Sequence, residues 1–307
     1  KIQGLLTGEG TVKISFPYVR GDFETNCAAF EGKLNPTSGQ FRISNTLDLS
    51  RGTFELGAGV YVANVKSQSA TEESRTNKIG ALQSTATDAS FGTGTWNVGY
   101  LGTNTTFAGK FNASAVLNKY GTGVLTLTGA SEANISIYAG EVLAQNTSAP
   151  ITSGSITVRE GGLLAGTGQV QNVTVQRGGV LGAGKSSSTV GTLTVKGNLT
   201  LNAGATLRVR IKSTSVRTTT DAFKVAGKVK LTSPVIDVSE LSSANVVADG
   251  TELKIFTGDG EIAITGEVTL LPACPKPGYL WDTSLLSTEG IIRVVADPVG
   301  IREISKD

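Results

Sequence analysis

The sequence predicts an all-β chain wound into a right-handed parallel β-helix, a solenoid with a C-terminal cap. Three observations predict it. Short apolar–polar alternations recur at coil-like intervals, glycine follows each of them at a matching place, and no long helical pattern competes. Glycine supplies 39 of 307 residues, about twice its usual share of ~7%, without a Gly-X-Y period, so turn-dense β structure is favoured over collagen. Hydrophobic residues make up 39% and charged residues 17% of the chain, enough for a sizeable core and too apolar for disorder.

The repeat is clearest in the middle of the chain. Ile135-Ser136-Ile137 is followed by Gly140 and Val142-Leu143, and Ile156-Thr157-Val158 by Gly161-Gly162 and Leu163-Leu164, an offset of 21 residues. Val173-Thr174-Val175 leads to Gly178-Gly179 and Val180-Leu181, and Leu199-Thr200-Leu201 to Gly204-Ala205 and Leu207, at offsets of 17 and 26. Each alternation turns one face inward as a strand, and glycine supplies the corner backbone that a β-branched residue resists. Ile137, Val158, Val175 and Leu201 are thus expected in one inward column. An antiparallel sandwich would call for Asn-Gly or Asp-Gly turns between the strands of this region, and they are missing there.

Toward the N-terminus, residues 1–120 read as coils with inserted loops. Gly4-Leu5-Leu6, Gly8-Glu9-Gly10-Thr11-Val12 and Phe30-Glu31-Gly32-Lys33-Leu34 are echoed by Gly80-Ala81-Leu82, Gly92-Thr93-Gly94-Thr95-Trp96 and Phe107-Ala108-Gly109-Lys110-Phe111, which suggests several coils duplicated together into 80–120. The polar stretch 67–78 reads as a protruding loop. Residues 121–264 form the regular β-helix, loosened by an inserted loop at 212–220. Residues 265–307, with Pro272, Pro275, Pro277 and Trp281 before the strand Ile291-Ile292-Arg293-Val294-Val295, read as the cap and a junction, because an open end would offer unpaired backbone groups to other chains.

Some of these residues match a known repeat. Gly123-Val124-Leu125-Thr126-Leu127-Thr128-Gly129, Gly92-Thr93-Gly94-Thr95-Trp96 and Thr105-Thr106-Phe107-Ala108-Gly109 resemble the autotransporter-associated β-strand repeat of autotransporter passenger domains. Thr220-Asp221-Ala222-Phe223-Lys224-Val225-Ala226-Gly227 resembles that family's late-passenger strand, and Trp281-Asp282-Thr283-Ser284-Leu285-Leu286 with Gly290-Ile291-Ile292-Arg293-Val294 its closing segment. The resemblance covers most of residues 80–295 and implies a secreted bacterial β-helix displayed outside the outer membrane. It departs from the family at the end, where Pro298-Val299-Gly300-Ile301-Arg302-Glu303-Ile304-Ser305 resembles the junction before a type IX-like C-terminal sorting domain rather than a lead into a membrane barrel.

Composition narrows the chemistry. With no histidine at all, His-based triads, imidazole proton shuttles and His-ligated metals are excluded. The net charge of +2 comes from dispersed charges, so neither a nucleic-acid surface nor a polybasic membrane patch is expected. No apolar run is long enough to insert in a membrane as a helix. Cys27 and Cys274 belong to no metal or redox motif and are expected to stay unpaired.

Glycoside hydrolysis needs two facing carboxylates, which in a solenoid would be acids at equivalent places of neighbouring coils. Between Ile135 and Ile211 the acids are Glu141 and Glu160, and they occupy non-equivalent places. Arg208 and Arg210 alternate with apolar residues and are expected on a solvated outer face. Trp96, Tyr100 and Tyr138 offer aromatic surface, for stacking sugars or, as their glycine neighbours suggest, for packing over coil corners. Sequons at Asn104, Asn112, Asn134, Asn146, Asn172 and Asn198 follow from composition. The expectation is a noncatalytic secreted or cell-surface stalk, spacer or adhesin-like module that meets a host protein or glycan. It has no cofactor, no metal site, no assigned catalytic residue and unknown ligand-binding residues. The alternative is a carbohydrate-binding or carbohydrate-active β-helix.

Overall fold

Ile137, Val158, Val175 and Leu201 do share one inward column. In the computed structural model these four residues are fully buried and lie in parallel register, each directly over the next. The structure describes residues 1–66, 71–185, 189–213, 218–240 and 247–299, with 17–20 and 240 as backbone only.

Stacked strands form three faces of a parallel β-helix. The first runs through Gly94–Val98, Ala115–Lys119, Asn134–Ile137, Ser155–Val158, Asn172–Val175, Leu199–Leu201, Val229–Thr232 and Ile262–Thr265. The second runs from Thr105–Phe107 through Val124–Leu127, Gly140–Ala144, Gly162–Gly166, Val180–Leu181, Thr206–Ser213 and Val235–Glu240 to Thr269–Leu271. A narrower third face includes Tyr61–Asn64, Ser90–Phe91 and Lys110–Phe111, and later Gln169–Val170, Thr192–Val195, Ala222–Val225 and Phe256–Thr257. Alternation places one side of each strand in a continuous core along the axis, where side chains of neighbouring coils stack.

Glycines set how closely the corners approach. A Cβ on Gly80 would lie 2.5 Å from the carbonyl oxygen of Gly52, and one on Gly52 would lie 2.8 Å from that of Gly32. No other residue fits this stack without moving the coils apart.

Asparagines stitch other corners, and they explain most of the sequons. Asn134 Oδ1 accepts the backbone N–H of Ser155 at 2.9 Å, Asn172 that of Asn198 at 2.9 Å, and Asn198 that of Lys228 at 2.8 Å. Asn104 does the same for Val124 at 2.9 Å. In Asn134, Asn172 and Asn198 the next residue points inward and the following Ser or Thr outward, so Asn-x-Ser/Thr arises as a coil-start pattern.

The β-helix already runs at the N-terminus, where Ile2–Gly8 pairs in parallel with the end of Thr11–Phe30. Here single strands run through corners: Lys33–Ile43 pairs at its start with Asp48–Glu55 and at its end with Tyr61–Asn64. The long echo between this region and 80–120 is not a register relation. Gly32 stacks between Gly10 and Gly52, whereas Gly109 stacks between Ala89 and Gly129 at a different corner. The unit is the single coil.

Two expected loops also differ. Within 67–78, Ser67–Ala70 lies outside the described residues, Val65 bridges Glu72 antiparallel, and Thr76–Lys78 already belongs to the strand Thr76–Gln83. Of the expected loop at 212–220, residues 214–217 lie outside the described residues, and Ile211, Lys212 and Ser213 pair antiparallel with Thr220, Thr219 and Thr218.

At the C-terminal end, Glu252–Lys254, Ile291–Ala296 and Tyr279–Asp282 form an antiparallel sheet. The short helix Leu286–Glu289 accompanies it, and Leu253, Leu286, Ile292 and Val294 are buried there. Of the junction beginning at Pro298, residues 300–307 lie outside the described residues. No helix among the described residues is long and apolar enough to cross a membrane.

Candidate functional site: a polar cleft between diverging strands

A deep concavity opens on the second face, and a change in corner length creates it. In the strand Thr76–Gln83 the chain turns from first to second face at Gly80 alone. One coil later, residues 99–104 separate Gly94–Val98 from Thr105–Phe107. The late-entering strand meets its neighbour at one bridge, Ser84 to Phe107, where Ser84 N–H donates to Thr106 O at 3.0 Å and Ala108 N–H to Ser84 O at 2.9 Å. Before that bridge the strands part and leave a cleft of about 780 Å³, within the usual size range of ligand sites.

Its lining is polar and held in place. Asn35, Glu55 and Gln83 lie on one side, with Thr105, Thr106 and Thr126 opposite. Asn35 Nδ2 donates to Glu55 O at 2.7 Å, and Ser84 Oγ to Leu56 O at 2.7 Å. Glu55 Oε2 accepts Lys33 Nζ at 2.7 Å and also the amide of Gln83. The Lys33 hydrogen bond holds the Glu55 carboxyl below the ordinary range, against the opposing effect of burial. The cleft thus carries one carboxylate, already balanced by an ammonium, among amides and hydroxyls.

The aromatic residues singled out by sequence are not at this cleft. Trp96 is fully buried and donates Nε1–H to Gly92 O at 3.2 Å. Tyr100 and Tyr138 are joined through Tyr120, which sequence reasoning missed, although it stands immediately after a column residue as Tyr138 does. Ring centroids are 5.4 Å and 4.8 Å apart, at 12° and 4° between planes, and Arg159 lies 4.9 Å above Tyr138. The rings stack face to face as a corner ladder with Tyr100 at its exposed end.

Arg210 corrects the expectation of a solvated arginine face. Its side chain is 4% exposed, and Asp221 is wholly buried. Arg210 donates Nε–H to Asp221 Oδ2 at 2.7 Å and Nη2–H to Oδ1 at 3.1 Å. The same carboxylate accepts the backbone N–H of Gly191 at 2.8 Å and of Arg210 at 3.1 Å. The hairpin after Ile211 returns the chain to Asp221 over this arginine, so an outward position on the strand is covered. Arg208 is half-buried.

Lys119 occupies an inward place between Val98 and Ile137 and is 1% exposed. Its ammonium donates to the carbonyls of Tyr120, Gly121 and Ala139 at 2.7, 2.8 and 3.2 Å. Burial pushes it down to about 8, opposed by Glu141. Glu141 is itself pushed up by burial, against the pull of Arg208, Arg210 and Lys119. Across the strands Glu141 faces Leu163, not a second acid. Among the described residues no cluster of three or more His, Cys, Asp or Glu could hold a metal ion.

Comparison with protein-family models finds no match, and comparison with curated proteins finds none. What fold and site define is therefore a class: a parallel β-helix with a capped C-terminal end and a polar cleft where coil register changes.

Proposed function

We propose that this chain is a noncatalytic, secreted or cell-surface module, a stalk or spacer with an adhesin-like interaction role at the exterior of a bacterial outer membrane. The observation that carries this reading is the stack itself. Ten strands follow one another on the first face from Asp48–Glu55 to Ile262–Thr265, a rod of roughly 45 Å at ~4.8 Å per coil. A rod with one end closed holds whatever it carries at a fixed distance. Its resemblance to autotransporter passengers points to the same role, and the balanced Glu55 in the cleft is poorly suited to acid–base work.

Antibody labelling of intact producing cells tests the location: labelling without permeabilisation is expected, and labelling only after permeabilisation overturns it. Incubation of the purified chain with plant and bacterial polysaccharides tests the noncatalytic part. Turnover abolished by a single Asp or Glu substitution overturns that part. The second reading, a carbohydrate-binding module, is favoured by the cleft.

A further inference from the structure

We propose that the cleft between Thr76–Gln83 and Thr105–Phe107 is a binding site for a neutral saccharide segment. The proposal rests on the interaction role argued above and names its ligand class. Three features carry it.

The first is charge. The cleft's lining includes one ionised side chain, Glu55, and Lys33 already pairs with it at 2.7 Å. Lys33 and Lys13 both act on Glu55 from outside the lining, so among the described residues no cation lines the cleft to hold an anionic polymer, and a cationic ligand would have to displace Lys33. Asn35, Gln83, Thr105, Thr106 and Thr126 instead supply neutral donors and acceptors, which match hydroxyl groups.

Order is the second feature. Asn35 is 7% exposed and tied to Glu55 O, Gln83 is tied to the Glu55 carboxylate, and Ser84 to Leu56 O. A ligand meets groups whose rotamer freedom is already lost, so ordering costs little on binding.

The third is shape. Lining residues come from five successive strands, Lys33–Ile43, Asp48–Glu55, Thr76–Gln83, Thr105–Phe107 and Val124–Leu127, or from the turns after them. The cleft therefore runs along the axis for on the order of 20 Å at ~4.8 Å per strand. An extended oligosaccharide fits a long polar trough, and Ala58 and Ala86 offer small apolar surface to the C–H faces of its rings. Among the described residues no aromatic side chain lines the trough, so weak affinity is expected, in the micromolar to millimolar range.

The test is titration of the full chain with neutral tetrasaccharides of glucose, mannose, xylose and galactose, followed by calorimetry and by NMR of backbone amides. One neutral series should bind and shift amides of Gln83, Ser84, Thr105 and Thr106. Thr106→Arg, at an exposed outward position in the cleft wall, should weaken it at least roughly tenfold. Thr157→Arg, an outward position on the first face with the same charge change, should leave it unaltered, and thermal melts of both variants check folding. Three outcomes overturn the proposal: no neutral saccharide binds, binding survives Thr106→Arg, or a galacturonate oligomer or an extended peptide takes the cleft instead. Hydrolysis of a bound saccharide would leave the site standing and overturn the noncatalytic reading, so the two failures are distinguishable.

Discussion

Eight of the ten phenylalanines, together with Trp96, precede residue 112, whereas the buried apolar residues from 121 to 211 are all aliphatic. The two regions also differ in regularity. In the first, the pairing register slips near Ile14 and Ser15 and again between Leu49 and Thr53. In the second, three or four consecutive residues of each first-face strand pair in register without a slip, although coil length varies there too. Rings fill the uneven interior of the first region: Phe91 packs 4.6 Å from Trp96, 4.8 Å from Phe111, 5.7 Å from Phe107 and 6.1 Å from Phe54. Aliphatic side chains suffice where the strands stay in register. The cleft belongs to the uneven region, because a gap between neighbouring strands is what a register change leaves behind.

Substitutions inside each core test this contrast, and the largest loss is expected in the even region. Val175→Asp puts an unpartnered carboxylate into an aliphatic column and should cost several kcal/mol, on the order of 4 or more. Phe91→Ala should cost about 3–5 kcal/mol. The two should differ in reach as well. Nearest-neighbour coupling in a solenoid predicts that Phe91→Ala raises amide exchange around Phe54, Trp96 and Phe111 and leaves the coils from Ile156 to Leu201 protected. Uniform loss of protection along the rod would remove the distinction between regions.

The late coils carry a fully covered ion pair, Arg210–Asp221. Asp221→Ala leaves a guanidinium buried without its carboxylate and should destabilise by about 3–5 kcal/mol, whereas Arg210→Met with Asp221→Leu should recover most of that loss. Urea melts of the single and double variants measure both. Equal losses in the two would mean that the pair is needed for itself, not merely to avoid an orphaned charge.

These cases show where sequence carried the information and where it did not. Ile137, Val158, Val175 and Leu201 could be aligned because each precedes a coil's glycines by three residues and alternates with Ser or Thr. Arg210 obeyed the same alternation and was rightly placed on the outer side of its strand. What covers it is a hairpin and a carboxylate eleven residues later, a tertiary contact that periodicity does not encode. The echo at the N-terminus does not fix a register, because glycine-flanked apolar triplets occur at several corners of one coil. The cleft residues are ordinary Asn, Gln and Thr, and only the length of the segment 99–104 hinted at a broken ladder.

Lys119 was legible and passed over. Ala115-Val116-Leu117-Asn118-Lys119 places 115, 117 and 119 inward, and the structure buries the lysine there. Its folded value of about 8 lies below the ordinary 10.5 of a lysine. Below pH 8 both folded and unfolded chains hold the proton; between pH 8 and 10.5 the unfolded chain still holds it while the folded one has released it. Stability contributed by this group therefore rises across that window. Relative to Lys119→Met, the wild-type chain should gain on the order of 2–3 kcal/mol between pH 8 and pH 10.5 in urea melts, given 1.36 kcal/mol per pH unit. Parallel curves for the two proteins would show that the ammonium is solvated in solution.

The smallest perturbation reads the contrast between regions without changing either. Cys27 is 1% exposed among the aromatic coils, and its thiol is pushed up to about 11, chiefly by burial. Cys274 is exposed beyond the last stacked strand, and both are free thiols. Only a thiolate reacts with an alkylating reagent, so Cys27 is protected twice, by inaccessibility and by a low thiolate fraction near pH 8. One equivalent of reagent should therefore react quickly with the folded chain, at Cys274, and the second only as fast as the first coils open. In Phe91→Ala the second rate should increase, because the rings that close the uneven interior are thinned. In a conservative change at the even end, such as Val175→Ala, it should stay as it was. If Val175→Ala accelerates Cys27 as much as Phe91→Ala does, the rod unfolds as one unit, and the difference in packing between its halves has no consequence for opening.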